Sequence, residues 1–127
     1  MTTRPRPLSP HLSIYRFTLT MTMSIVHRIT GLANAAGTVL LALWLAAAAL
    51  GEGPLAVVNA IFASWFGQLA LFGYTWSLFH HMLGGLRHFV WDTGSWMFHP
   101  QREWLALANI VLSVLLTLIA WTVFVWS

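Results

Sequence analysis

The most informative part of this chain is a group of ionisable side chains between residues 81 and 92, in an otherwise apolar stretch. Ionisable groups are costly inside a membrane, so in such a stretch they indicate function. Helix positions i, i+3, i+4, i+7 and i+11 share one face. Five residues here have that spacing: His81, Gly84, Gly85, His88 and Asp92. A flat cofactor bound to the first imidazole would fit against the two glycines.

The composition indicates a membrane protein. The 127 residues are 58% hydrophobic and only 7% charged, with a mean hydropathy of +0.74, whereas soluble domains carry about 25% charged residues. Three segments without charge, residues 29–51, 53–86 and 104–127, each exceed the roughly 20 residues that cross a bilayer. We therefore predict an all-α membrane protein with three transmembrane helices.

The same pattern predicts the boundaries within the chain. A cytoplasmic arm rich in proline and arginine covers residues 1–20, and the transmembrane domain covers residues 21–127. Glycine and proline interrupt the helical pattern just after residue 50. Residues 55–63 form either a short interfacial helix or the start of the second span. The predicted helices cover residues 21–50, 64–91 and 103–126.

The arginines predict the orientation, because cytoplasmic segments carry an excess of positive charge. Four of the six arginines precede or open the first span, and Arg87 and Arg102 flank the second loop. This places the N-terminus in the cytoplasm and the C-terminus on the periplasmic side. Arg87 would be a topology anchor with its charged head at the membrane surface.

Charge and cysteine content exclude other classes. The pI near 10.7 rests on a net charge of only +3, with no basic face for nucleic acid. The absence of cysteine excludes a thiolate-held iron–sulfur cluster, disulfides and covalent c-type haem in this chain. The first residues are neither a signal nor a transit peptide, which favours a bacterial gene and the cytoplasmic membrane.

A second polar stripe lies on the first helix. It contains Ser24, His27, Arg28, Gly31 and Asn34. The first helix enters from the cytoplasm and the second returns to it. His81 lies ten residues before the end of the second helix, about 15 Å from it. The two stripes thus occupy the same half of the bilayer and can face each other.

The residue types favour haem. Neutral imidazole is a haem-iron ligand, and b-type haem needs no covalent bond to protein. Its propionates require cationic partners, for which Arg28, His27 and His88 are candidates. A second axial ligand is either His27 or a histidine of a partner chain. His80 lies about 100° around the helix from His81 and should face another helix, although it remains an alternative ligand.

Three motifs resemble the cytochrome b subunit of succinate dehydrogenase (complex II), the larger of its two membrane anchors. They are Arg6-Pro7-Leu8-Ser9-Pro10-His11-Leu12, the run from Ser24 to Gly31, and the run from His81 to Asp92. The motifs follow in order and cover the arm and two of the three helices. The arm is similar to that of the mitochondrial and related bacterial branch. In that branch Gly84 is often asparagine, which would alter packing beside the haem.

The resemblance implies a complex with a flavoprotein, an iron–sulfur protein and a small second anchor that closes a haem-binding bundle. It implies that His81 is one axial ligand of a single shared haem b, while His27, Arg28 and His88 lie near the propionates. Ser24 and Arg28 would bind quinone, and the role of Asp92 stays open. The chain itself would perform no succinate chemistry.

Other functions are also compatible with these residues. A fumarate reductase anchor would run the reaction in reverse. A transporter or proton-conducting subunit would use His81, His88 and Asp92 as a relay, and an assembly factor would need none of them.

Overall fold

The computed structural model describes residues 6–125, and within them four helices follow one another. The helices are α1 (Leu19–Leu50), α2 (Glu52–Ala63), α3 (Trp65–Asp92) and α4 (Gln101–Phe124). Helices α1, α3 and α4 begin and end within two residues of the predicted positions, except that residue 126 lies outside the described part of the chain. Residues 6–18 of the arm precede α1 without a helix and are mostly exposed.

The segment before the predicted second span is a separate helix. Gly51, with φ +110°, ends α1, a backbone angle that favours glycine. Helix α2 then runs to Ala63 and meets α3 at an angle of 79°. Two helices, α1 and α4, are long and apolar enough to cross a membrane, and a third span requires α2 and α3 to count together.

Local contacts at Ser64 explain the bend. The Ser64 hydroxyl accepts a hydrogen bond from the Gly67 backbone N–H at 3.1 Å, which caps the start of α3. Gln68 donates from Nε2 to the Phe62 carbonyl at 2.9 Å. A Cβ at Gly67 would lie 2.7 Å from Phe62 Cα, so the two helices can meet this closely only without a side chain there.

Helix α3 packs between α1 and α4, and its buried face is small and polar. The buried residues of α3 and α4 are Gly67, Ser77, His80, Gly84, Arg87, Ala106, Asn109, Ser113, Thr117 and Trp121. The outward faces carry the large aliphatic side chains instead. This arrangement is typical of membrane helices, where small residues permit close packing and polar side chains bond between helices.

A large apolar cavity lies at the end of the structure away from His27 and His81. There α1, α2 and α3 surround a cavity of about 440 Å³, whose walls include Gly37, Trp44 and Tyr74 and are almost entirely apolar. Trp44 donates from Nε1 to Asn59 Oδ1 at 3.0 Å and ties α1 to α2. The cavity is therefore apolar, in contrast to the polar side chains between the helices around His27 and His81.

Candidate functional site

The two predicted polar stripes meet at a stacked pair of imidazoles. The rings of His27 and His81 lie parallel, with 4.0 Å between centroids and 2° between planes. A glycine backs each ring on the opposite helix. A Cβ at Gly31 would lie 3.0 Å from His81 Cε1, and one at Gly84 would lie 2.9 Å from His27 Cε1, with Nδ1 closer still. The prediction that the stripes of α1 and α3 face each other is confirmed.

The backbone of α1 orients the His81 ring. His81 Nδ1 lies 3.0 Å from the His27 carbonyl oxygen and 3.3 Å from Thr30 Oγ1. Thr30 donates to the same carbonyl at 3.0 Å. Since a carbonyl only accepts, the proton lies on Nδ1, and the lone pair of a neutral ring lies on Nε2. A metal-bound histidine in proteins is usually held in this way through its other nitrogen.

The arrangement fits a haem ligand at His81 but not a pair made of His27 and His81. Two axial ligands must direct one nitrogen each at the iron from opposite sides, and parallel rings 4.0 Å apart cannot do this. His27 Nδ1 is buried against Gly84 and has no hydrogen-bond partner among residues 6–125. A Cβ at Gly85 would meet nothing within 4 Å, so the stripe stays open there, whereas His27 fills the space at Gly84.

The remaining predicted residues lie around this pair. The His88 ring is exposed, 5.5 Å from the His27 centroid and 5.3 Å from the Trp91 ring. Ser24 and Arg28 are exposed on the flank of α1. Asp92 is the last residue of α3 and is also exposed. The structure thus brings together both imidazoles, the glycines and His88, and leaves the hydroxyl, the guanidinium and the carboxylate open to an outside group.

His80 faces α4, as its position on the helix predicts. Its side chain is only 2% exposed. Asn109 Nδ2 lies 3.2 Å from its Nε2, and Ser113 Oγ lies 3.3 Å from its Nδ1. Both of its ring nitrogens are therefore engaged within the protein, unlike those of His81.

The sequence analysis did not single out several polar residues that lie between the helices. Ser77 donates to Asn34 Oδ1 at 2.8 Å and so joins α3 to the predicted stripe of α1. On α4, three polar residues recur every four positions in a strongly apolar helix, and they are Asn109, Ser113 and Thr117. That spacing was a readable signal for a face turned towards α3.

Arg87 is buried between two helices, which the topology argument did not predict. Its side chain is 4% exposed and packs between α3 and α4, with the guanidinium carbon 4.9 Å from the centre of the Trp91 ring. Nε and Nη1 are buried without hydrogen-bond partners in the described chain. Residue 87 falls on the same helical face as His80, so its side chain is enclosed by two helices; its role as a topology anchor stays a prediction.

Fold and site together define a helical membrane protein with apolar outer faces and a histidine-containing polar seam between two helices. The chain belongs to the succinate dehydrogenase/fumarate reductase transmembrane subunit family, whose family model matches residues 2–124. It is thus a cytochrome b membrane subunit of the succinate dehydrogenase type, which agrees with the resemblance seen in its motifs.

Individual relatives support this assignment along almost the whole chain. The succinate dehydrogenase cytochrome b556 subunit of Paracoccus denitrificans is 43% identical and is covered over 94% of both chains. The b556 subunit of Rickettsia felis is 33% identical over 91% of this chain and 90% of its own. The mitochondrial b560 subunit of Bos taurus is 39% identical over 90% of this chain and 69% of its own.

Proposed function

We propose that this chain binds haem b through His81 and forms part of the quinone-reducing site of a succinate:quinone oxidoreductase. The observation that carries the proposal is the 3.0 Å distance between His81 Nδ1 and the His27 carbonyl oxygen, from which we infer that the proton is on Nδ1. This leaves the Nε2 lone pair free to bind iron. The neighbouring His80 has both ring nitrogens in contact with α4.

A partner chain supplies the second axial ligand in this proposal. The stacked geometry removes His27 as that ligand, and His80 is enclosed between α3 and α4. The open position at Gly85 and the exposed flank of α1 lie beside His81, where a second anchor subunit would complete the bundle. The site is therefore shared between two subunits, and this chain alone holds half of it.

His27, Arg28 and His88 are the candidates for the haem propionates. His27 Nδ1 is buried against Gly84, which leaves Nε2 as the atom that would meet a propionate. The exposed His88 ring lies 5.5 Å from the His27 ring, measured between centroids. Arg28 adds a permanent charge one residue along α1. When bound, the haem would supply one-electron chemistry, while these side chains neutralise its carboxylates and fix its position.

Ser24 and Arg28 form the quinone-binding part of the proposal. They lie one helical turn apart on α1, and both are exposed. The Ser24 hydroxyl would donate to a quinone carbonyl oxygen, and the Arg28 guanidinium would stabilise the negative charge that develops on that oxygen during reduction. Proton delivery to the quinol would come from water or from a partner, since neither side chain is an effective acid at neutral pH.

The complex proposed around this chain has three other members: a flavoprotein, an iron–sulfur protein and a small anchor. Succinate oxidation belongs to the flavoprotein in this proposal, and this chain would not catalyse it alone. Three spans, with α2 and α3 as one bent unit, would place the N-terminus in the cytoplasm and the C-terminus in the periplasm of a bacterial cytoplasmic membrane. The family includes both succinate dehydrogenases and fumarate reductases, so assays in both directions would determine the physiological one.

The test uses neighbouring histidines as a matched pair. In the purified complex, His81→Gln should abolish the reduced-minus-oxidised b-haem spectrum, whereas His80→Gln should retain it. If the spectrum survives in the first variant and disappears in the second, the ligand assignment moves to His80.

The quinone assignment has a separate test. Ser24→Ala and Arg28→Ala should each lower quinone reduction, while electron transfer from succinate to a soluble dye continues, because the dye accepts electrons before the membrane site. Unchanged quinone reduction in both variants would exclude these two residues from the pocket.

A further inference from the structure

A second polar site lies between α3 and α4, where the proposed haem and quinone residues do not reach. It is a cavity of about 150 Å³ lined by residues of these two helices alone. Its polar lining consists of Arg87 and Asn109, both 4% exposed, and aliphatic side chains form the rest of the wall. Since α1 also packs against α3 and α4 but contributes nothing to this wall, the cavity opens away from α1.

The cavity contains a guanidinium whose charge is not compensated. Arg87 Nε and Nη1 and Asn109 Oδ1 are buried and lack hydrogen-bond partners in the described chain. Arg102 Nε, near the start of α4, is buried and unpartnered as well. Within residues 6–125 neither arginine forms a salt bridge; Glu103 pairs with His99 instead, at 3.6 Å. A buried cation with free N–H groups is strongly unfavourable unless an anion accepts from it.

The depth of Arg87 identifies the kind of anion. Helix α3 has 28 residues, about 42 Å at 1.5 Å per residue, which is about 12 Å more than the hydrocarbon core. Arg87 lies five residues from the end of α3, about 7.5 Å along the helix. Its guanidinium is therefore within reach of the lipid phosphates at that membrane face.

The mouth of the cavity has the complementary apolar surface. Leu86 and Leu112 line it and are 52% and 46% exposed, so an acyl chain can lie against them while its headgroup reaches the guanidinium. Basic pockets between transmembrane helices near a membrane surface bind lipid headgroups in this way. A partner's carboxylate is less favoured, because the proposed second anchor sits beside His81 and Gly85, on the opposite flank of α3.

We propose that the cavity between α3 and α4 binds the phosphodiester of an anionic phospholipid through Arg87, with Asn109 accepting from the headgroup or an ordered water. The proposal relies on the proposed function only in placing the second anchor on the other flank. Loss of this lipid and loss of haem are therefore separate events.

The experiment measures lipid retained by the purified four-subunit complex. Complexes exchanged into nanodiscs of phosphatidylglycerol and phosphatidylcholine are re-extracted in detergent, and bound lipid is counted by native mass spectrometry. Arg87→Gln should lower retention of phosphatidylglycerol by about tenfold or more, the scale of a lost charge-assisted hydrogen bond, and leave the b-haem spectrum intact. Arg16→Gln, which removes an equal charge from the exposed arm, should retain the lipid.

A second variant tests the cavity without touching the charge. Ala108→Phe places a ring in the lining of the cavity and should also displace the lipid, which keeps the test valid if Arg87→Gln fails to assemble. Three results would overturn the proposal. The first is an unchanged lipid count in both variants, and the second is displacement of the bound lipid by inorganic phosphate. The third is loss of the second anchor subunit in Arg87→Gln while the lipid is retained. The second result would indicate a free-anion site, and the third a partner's carboxylate.

Discussion

Because Gly84 contacts the His27 ring, the effect of Gly84→Ala on stability should change sign when that imidazole is removed. In Gly84→Ala the new Cβ would lie 2.9 Å from His27 Cε1, whereas carbon atoms in ordinary contact are about 3.5 to 4.0 Å apart. The ring must move by at least about 0.6 Å, and its parallel stack on His81 cannot stay as it is. Overpacking of this kind costs about 1 to 3 kcal/mol, and alanine returns about 1 kcal/mol as the better helix former.

The double variant separates these two contributions. Gly84→Ala alone should destabilise the complex by about 1 kcal/mol, the difference between an overpacking cost of about 2 and the helical gain. In a His27→Ala background the clash is absent, so the same substitution should stabilise by up to about 1 kcal/mol. The resulting coupling between the two sites is about 2 kcal/mol.

Thermal denaturation of the purified complex, followed by b-haem absorbance, measures the effect. For a chain of 127 residues, a change of 1 kcal/mol corresponds to a midpoint shift of roughly 4 °C. Gly73→Ala is the matched control, because a Cβ there meets nothing within 4 Å. Equal shifts for Gly84→Ala in the presence and absence of the His27 ring would refute the steric argument.

Two further substitutions test the contact between α1 and α3. Gly37→Ala should destabilise by about 2 to 3 kcal/mol, because its Cβ would lie 2.6 Å from Tyr74 Cδ2 and closer to other ring atoms; thermal denaturation measures this, and relief by Tyr74→Ala is the expected control. Ser77→Ala removes a hydroxyl that donates to Asn34 Oδ1 at 2.8 Å, with the Thr30 carbonyl as a second acceptor at 3.1 Å, and should cost about 0.6 kcal/mol, the average for such bonds between membrane helices. A loss in Ser77→Ala that persists undiminished in an Asn34→Ala background would show that another contact is responsible.

Helical periodicity predicted the relation between neighbouring histidines. A rotation of 100° per residue separates His80 from His81, and the structure turns the first towards α4 and the second towards α1. The same rotation places residue 87 on the face of His80. The topology argument considered only the membrane depth of Arg87 and so missed its burial between two helices.

The bend before α3 was harder to predict, because it depends on contacts between the end of α2 and the start of α3. The glycine and proline after residue 50 indicated the end of α1, but the length of residues 55–63 fitted either a separate helix or a longer span. The decisive contacts are the Ser64 cap and the Gln68 bond back to the Phe62 carbonyl. Predicting these contacts requires the three-dimensional path of the backbone, and the hydropathy pattern carries no information on that path.

The exposed position of Arg28 has a consequence for biogenesis. A lone copy of the chain in the bilayer must present this guanidinium to acyl chains or distort the lipid around it, at a cost of up to about 3 kcal/mol. A partner that covers the flank of α1 removes the cost, so insertion and assembly are thermodynamically linked. If the proposed second anchor covers this flank, an excess of this chain over its partner would leave Arg28 exposed to lipid, and we expect balanced synthesis of the two subunits.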